Sequence, residues 1–319
     1  MADGCPACGA TSAARTVSLD VVAQHETYFP FEPELSKRLS DDLVPSVATY
    51  DLRVCRHCGL EFASPMQAPS SNWYQLAYRG LNVQPEYRWE FDAVLARLTP
   101  DDSVYEIGCG PGAFLDACRA RRIPAQGVDF SEDLVRSCRA RGLSARVAGV
   151  GPNQIDEPAS SASVVASFHV LEHLPSPDVL FDDATRISRD HATLWVSVPS
   201  PMRVGRVCGF REPFDEPPHH LTRWTAEAFE AIGTRHGWRL ESLTLQPFSW
   251  RNALWTVASQ FGVYRALDSR GWLKHYAVEL PFRATLYPIA ALMVAAHPGR
   301  KQMSGLSMLA RYTRLESPS

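Results

Sequence analysis

Residues 104–112 read Val104-Tyr105-Glu106-Ile107-Gly108-Cys109-Gly110-Pro111-Gly112, an apolar run that breaks into a Gly-X-Gly-X-Gly turn and leads into a helix-like segment. Without Cβ atoms the chain turns tightly there and lets a bulky ligand approach the main chain. A dinucleotide fingerprint is spaced Gly-X-Gly-X-X-Gly. Here the third glycine comes one residue early, and an acid, Glu106, stands two residues before the first. That acid is placed to hold a cation. Further on, Gln126-Gly127-Val128-Asp129-Phe130 ends a second short apolar run on Asp129, a side chain suited to accept two hydrogen bonds from ribose hydroxyls.

Working outward, apolar runs alternate with helix-like stretches. Strands are expected at 103–107, 124–128 and 144–148, with helices at 112–122 and 131–141 between them. Ser131 followed by Glu132 and Asp133 reads as an N-cap with acids in the first turn. A fourth strand runs from Ser163 to Phe168 and a fifth from Thr193 to Val198, stopped by Pro199. A helix from Thr225 to His236, a strand from Arg239 to Leu245 and a last strand near Gly305 to Thr313 complete seven strands. This βαβα grammar predicts a parallel sheet with ligand loops at the carboxyl ends of its strands.

Together these features resemble the class I S-adenosylmethionine-dependent methyltransferases over residues 100–245. The resemblance implies an α/β, Rossmann-like sheet of seven mostly parallel strands whose last strand pairs antiparallel. It implies that Glu106 faces the methionine end of the cofactor, that Gly108, Gly110 and Gly112 lie under it, and that Asp129 binds its ribose. Phe130 and His169 are added as cofactor-binding candidates at the ends of the second and fourth strands. One departure is visible: the family often places an aspartate after an aromatic in the fourth strand, and this chain has Ala162-Ser163. The adenine-facing loop is expected within Gly149 to Pro158.

The formal charge of −3 and a pI near 6.4 give no overall basic field for nucleic acid. The N-terminus, Met1-Ala2-Asp3-Gly4-Cys5, has no basic stretch leading into an apolar one, so a cytoplasmic protein with reduced thiols is expected. Clustered cysteines then favour metal ligation. Cys5-Pro6-Ala7-Cys8-Gly9 and Cys55-Arg56-His57-Cys58-Gly59 repeat one zinc-knuckle pattern, in which two thiolates converge on an ion and the trailing glycine permits a left-handed turn. Two such pairs complete a four-thiolate site with no open position, a structural role. The long gap between them, 9–54, calls for an inserted hairpin or loop. This arrangement is similar to bacterial methyltransferases with an N-terminal zinc-binding domain, including sugar C-methyltransferases. Cys109, Cys118, Cys138 and Cys208 fit no such pattern, and Cys109 reads as a small spacer in the glycine turn.

Chemistry beyond the cofactor points to histidines. The fourth strand runs into Phe168-His169-Val170-Leu171-Glu172-His173-Leu174-Pro175, and the fifth leads to a loop ending Phe214-Asp215-Glu216-Pro217-Pro218-His219-His220-Leu221-Thr222-Arg223-Trp224. Methyl transfer displaces a sulfonium in line, so the enzyme must position a nucleophile and, for a hydroxyl or acidic carbon, remove a proton, which histidine does near neutral pH. By resemblance to the zinc-module sugar C-methyltransferases, His220 and His173 are the leading catalytic candidates, joined by His219. His169-X-X-Glu172-His173 also resembles the Glu-X-X-Glu-His segment of metal-dependent quinone and small-RNA O-methyltransferases. A second divalent metal at His169, Glu172 and His173 is therefore a further expectation, with histidine ligands favouring zinc or iron over magnesium. The plain alternative for Glu172-His173 is a structural pair that orders its loop.

Four segments are expected: 1–66, the zinc module; 67–247, the cofactor-binding core; 248–303, an aromatic helical insertion; and 304–319, the final strand and tail. Before the core, Trp73 to Gly80 and Gln84 to Leu98 carry apolar residues at helical spacing, and Tyr74, Tyr78, Tyr87 and Arg88 are placed either to reach the cofactor or to pack the helices. Within the insertion, the run 289–296 is too short to span a bilayer, and it suits a buried helix, an acceptor-pocket wall, a homodimer surface or shallow membrane contact. Pro281 and Pro288 argue against one continuous helix. The reading is a methyltransferase acting on oxygen or carbon of a small molecule, a secondary metabolite or sugar derivative, with His220 as base and His173 orienting the acceptor. The competing readings are an RNA methyltransferase that uses the zinc module as a clamp, which the acidic balance disfavours, and a non-catalytic cofactor-binding scaffold.

Overall fold

The computed structural model describes residues 4–29, 32–77, 86–148, 160–210, 212–261 and 276–316. The strands are β1 (Ala13–Asp20), β2 (Thr49–Cys55), β3 (Glu61–Ser64), β4 (Val104–Ile107), β5 (Ala125–Asp129), β6 (Ser144–Val147), β7 (Ala162–Phe168), β8 (Ser188–Pro199), β9 (Thr222–Arg223), β10 (Trp238–Leu245) and β11 (Ser307–Arg314). The helices are α1 (Val21–Tyr28), α2 (Pro33–Leu43), α3 (Ser71–Ala77), α4 (Trp89–Leu95), α5 (Ala113–Ala120), α6 (Glu132–Ala140), α7 (Asp178–Ile187), α8 (Val204–Val207), α9 (Ala226–Arg235), α10 (Trp250–Ala258) and α11 (Tyr276–Ala296).

Seven strands form one sheet in the order β10-β11-β8-β7-β4-β5-β6. β4 to β8 run parallel, and β11 pairs antiparallel with both β8 and β10. β7 is buried at all seven positions, as a strand covered on both faces must be. One face packs Leu180, Phe181, Phe229, Trp238 and Tyr312; the other packs Phe91, Val94, Phe114, Phe168 and Trp195. The chain leaves β4 toward β5 on one side and returns as β7 on the other. That reversal of strand order opens a crevice at the carboxyl edge, where ligands of such sheets bind.

Local chemistry explains the elements around that crevice. Ser131 caps α6 by accepting from Leu134 N–H, with Glu132 and Asp133 in the first turn, as expected. β8 starts at Ser188, five residues before the expected Thr193. Its first turn of chain, Arg189-Asp190-His191, is polar and exposed, and the register with β7 shifts there, so no apolar alternation announces it.

A second sheet, β1-β2-β3-β9, carries the cysteine pairs at its ends. The inserted segment between the pairs is a β1–β2 antiparallel pair, and helices α1 and α2 fill it, which the sequence reading did not foresee. β9 comes from the loop that carries His219 and His220, so this sheet is completed by the second half of the chain. Thr225 Oγ1 donates to Cys58 O at 2.6 Å, and Arg235 Nη1 donates to Pro6 O and Ala7 O, each at 2.9 Å. The helices α1 to α3 bury Val21, Leu39, Leu43 and Trp73 against Tyr50 and Leu221, which fixes α3 over the crevice.

In the insertion, α11 is one helix although Pro281 and Pro288 lie inside it, contrary to the expectation of a break. An interior proline costs about 3 kcal/mol. Burial offsets this: Ala290 and Val294 are fully buried against Ala253 and Val257 of α10 and Met303. Only one face of α11 is covered, since Leu292 is 71% exposed. No helix of the described residues is long and apolar enough to cross a membrane.

Candidate active site

The glycine turn is tied to β5 before any ligand is considered. Gly108 N–H and Cys109 N–H both donate to Val128 O, at 2.8 and 2.9 Å. Gly108, Gly110 and Gly112 all have positive φ, and a Cβ on Gly108 would lie 2.2 Å from Val170 Cγ2. Asp129 fastens the same turn: Oδ2 accepts from Gly110 N–H at 2.8 Å and Oδ1 from Ser131 N–H at 2.9 Å. Each oxygen keeps a lone pair for a further donor, as a ribose diol requires. This anchoring role escaped the sequence reading, because a side chain that holds the backbone and one that holds a ligand look alike in sequence.

Glu106 is 3% exposed and its Oε2 has no hydrogen-bond partner among the described residues. Burial pushes its carboxyl well above the usual range, the nearby Asp129 adds to this, and Arg88 opposes it. A cationic ammonium brought beside Glu106 would relieve that cost. The cradle therefore fits a ligand with a positive end, a diol and a flat face against backbone, as S-adenosylmethionine has. Phe130, which follows Asp129 in the chain, is 47% exposed, and the Tyr74 ring lies 6.1 Å from its own. Cys109 is buried, with its Cβ filling the space over Gly127, in keeping with a spacer. Tyr78 and the loop Gly149 to Pro158 lie outside the described residues.

At the end of β7, His169 adopts φ +57° and is held between two acids, with Nε2 at 3.2 Å from Glu90 Oε1 and Nδ1 at 3.4 Å from Glu172 Oε1. Burial opposes its charge, yet the contacts with Glu172 and Glu90 outweigh burial and raise its pKa. For Glu172, burial is likewise overcome by His169 and the neighbouring histidines, which bring it down to about 2. His169 thus clamps two carboxylates together, and they favour its protonated form. The set His169, Glu172 and His173 is regrouped: His173 turns instead to His219 and His220.

Those three rings stand together. His173 lies 4.8 Å from His219 and 4.7 Å from His220 between ring centroids, and His219 stacks on His220 at 4.5 Å. Burial keeps all three below the usual histidine pKa; His219 and His220, which neighbouring histidines also oppose, lie well below it. They are neutral at pH 7. Asp215, which accepts from His220 Nδ1 at 3.1 Å, is itself held by Arg203 and Arg223. Arg223 also pairs with Glu61 of β3, tying the cluster to the cysteine-bearing sheet. Arg223 lies in the same stretch of sequence as the histidines but was given no role there, and Arg203, in a separate segment, carries no motif.

A cavity of about 770 Å³ opens beside His169. Glu90 and His169 line it together with Trp255 of α10 and Tyr287 of α11, and Arg88, Arg251 and Arg283 line it from three separate segments. The insertion thus walls a pocket beside the cofactor crevice.

The four cysteines converge away from this edge. Cys5 Sγ lies 3.5 Å from Cys58 Sγ, and Cys8 Sγ 3.5 Å from Cys55 Sγ. That is far beyond a disulfide bond of about 2.05 Å and close to the edge of about 3.8 Å that four thiolates around zinc require. Gly9 and Gly59 have φ of +74° and +71°, the left-handed turn expected after each pair. His57 N–H points at Cys55 Sγ at 3.4 Å. The donor set and spacing fit zinc.

A methyltransferase-domain family matches residues 81–243, half of the chain, which covers the cradle, the His169 clamp and the histidine cluster. The chain belongs to the S-adenosylmethionine-dependent methyltransferases. This methyltransferase is 28% identical over 172 residues to a probable S-adenosylmethionine-dependent methyltransferase of Mycobacterium tuberculosis, a match covering 53% of this chain and 58% of that protein. It is 31% identical over 138 residues to a trans-aconitate 2-methyltransferase of Sinorhizobium medicae, covering 42% and 49%. The chain therefore spans less than two thirds of the length of these relatives. A solved S-adenosylmethionine-dependent methyltransferase from Archaeoglobus fulgidus superposes with a TM-score of 0.47 at 16% identity, over 70% of this chain and 91% of that one.

Proposed function

We propose that this methyltransferase acts on oxygen or carbon of an anionic small molecule bound in the cavity beside His169. The observation that carries this reading is the placing of Arg88, Arg251 and Arg283 around one cavity at the carboxyl edge of the sheet. The three arginines outnumber the two acids there, Glu86 and Glu90, and Glu90 pairs with His169, so positive charge prevails for a carboxylate or phosphate on the acceptor. Trp255 and Tyr287 supply the flat apolar walls of a small-molecule site. Similarity to a trans-aconitate 2-methyltransferase supports an acceptor of that kind.

In this reading Glu106 holds the cationic methionine end of the cofactor, and Asp129 holds the ribose and keeps Gly110 in place. S-adenosylmethionine supplies an electrophilic methyl group and leaves as the thioether. His169 with Glu90 closes the floor between cofactor and acceptor. His173, His219 and His220 do not line the cavity itself, so in this reading the acceptor extends from the cavity past His169 to reach this neutral cluster and gives up its proton to His220, which Asp215 orients. The four cysteines hold a structural zinc ion.

The test is methyl transfer from S-adenosylmethionine labelled in the methyl group to a panel of hydroxylated small molecules, matched with and without a carboxylate or phosphate. Anionic acceptors should be methylated, and Arg251→Glu should raise their KM about tenfold or more, the loss of one charged contact. Preference for the neutral partners, or an unchanged KM in Arg251→Glu, would overturn the anionic-acceptor assignment.

A further inference from the structure

His173, His219 and His220 are arranged for more than accepting a proton. One ring nitrogen of each lies within 4.8 Å of those of the other two. Each ring is also oriented by an oxygen at Nδ1. His173 Nδ1 is 2.7 Å from His219 O, His219 Nδ1 is 2.6 Å from Phe214 O, and His220 Nδ1 is 3.1 Å from Asp215 Oδ1. A carbonyl or a carboxylate can only accept, so the proton of each neutral ring sits on Nδ1 and the lone pair on Nε2. Metal-ligating histidines are held in this way, with the outer nitrogen donating to a carbonyl or carboxylate and the inner one facing the ion.

A second observation is the charge beside the cluster. Glu172 is 1% exposed, and neither of its carboxylate oxygens has a hydrogen-bond partner among the described residues; its ion-pair contact is His169. A dication held by three neutral imidazoles would stand next to this buried anion and balance it. Asp215, already paired with Arg203 and Arg223, orients the His220 ring and leaves the charge balance to Glu172.

We propose that His173, His219 and His220 form a binding site for a transition-metal dication of the zinc type, separate from the four-cysteine site. Imidazole nitrogens suit zinc, iron or nickel, and ligand bonds of about 2.0–2.1 Å would draw the rings together by about 1 Å. Three protein ligands leave a fourth position open, the pattern of reactive rather than structural sites. An acceptor oxygen or a water in that position would give up its proton more readily. The binding site stands on the geometry of the rings. Its service to the acceptor rests on the cluster being the proton-removing group.

The test is metal content of the full-length protein after loading with zinc and exhaustive dialysis, read beside the far-ultraviolet circular dichroism of each variant. Wild type should hold about two zinc ions per chain, and His173→Ala and His220→Gln should each hold about one while keeping the wild-type spectrum. With cobalt in place of zinc, the ion lost in these variants should lack a thiolate-to-cobalt charge-transfer band, whereas the ion they keep should show it. About one ion per chain in wild type, or unchanged content in folded His220→Gln, would overturn the metal site. If His220→Gln then still lost methyl transfer, the proton-removing role of the cluster would survive as direct base catalysis.

Discussion

The cofactor cradle and the histidine cluster occupy one edge of the same sheet, yet they are made in different ways. The cradle is one continuous stretch, from Val104 to Ser131, in which backbone N–H groups, three positive-φ glycines and a single aspartate hold one another. The cluster takes one ring from the loop after β7 and two from the loop before β9, and orients them with oxygens of Phe214, Asp215 and His219. The first is a property of backbone sterics and should fail by losing its ligand. The second is a property of side chains and should fail by losing chemistry, with the ligand still bound.

The sharpest way to break that division is His220→Ala. Methyl transfer should fall about 10³-fold, the scale of a lost proton-transfer group, while cofactor affinity measured by calorimetry stays within about threefold. A parallel loss of affinity would merge the two regions into one site. Next in size is Gly108→Ala, whose new Cβ meets Val170 Cγ2 in a left-handed conformation. Strain and clash together should weaken cofactor binding about 100-fold, with zinc content unchanged. Normal binding in this variant would mean that the turn does not shape the cradle.

The smallest effect concerns the flank that carries α3 over the crevice. His25 is fully buried, accepts from Trp73 Nε1–H at 2.9 Å and is held by burial at a pKa of about 4, against an ordinary 6.5. Its folded pKa is depressed, so the unfolded chain binds the proton that the folded chain refuses. The stability it allows is complete above pH 6.5 and should fall by about 1.4 kcal/mol per pH unit below that, down to pH 4. Melting curves between pH 7 and 5 check this, and the same slope in His25→Asn would remove His25 as the cause.

The same contrast explains what the sequence disclosed. Strands β4, β5, β6 and β7, the Ser131 cap and the turns at Gly9 and Gly59 were legible because each is decided by neighbours in sequence: apolar runs, a hydroxyl before two acids, a glycine after a cysteine pair. The cysteine pairs announced themselves by repetition. What was not legible depends on distant partners. α1 has no apolar period, and α2 buries serines beside leucines on one face, Ser36, Leu39, Ser40 and Leu43, so the place of both is set by packing on Trp73 and Leu221. α11 keeps two prolines because Ala290 and Val294 find α10. Of the candidate residues His169, Glu172 and His173, close in sequence, His169 does meet Glu172 but also Glu90, a distant partner, while His173 stands with His219 and His220. Sequence named the histidines and could not pair them.

The central claim is that Glu106, the glycine turn and Asp129 form the S-adenosylmethionine site. Titration calorimetry of wild type and Asp129→Ala with S-adenosylmethionine tests it most directly, since Asp129 both offers oxygens to the ribose and fixes Gly110. The account predicts one cofactor bound per wild-type chain and affinity reduced about tenfold or more in Asp129→Ala. Equal affinity in the two proteins would contradict it.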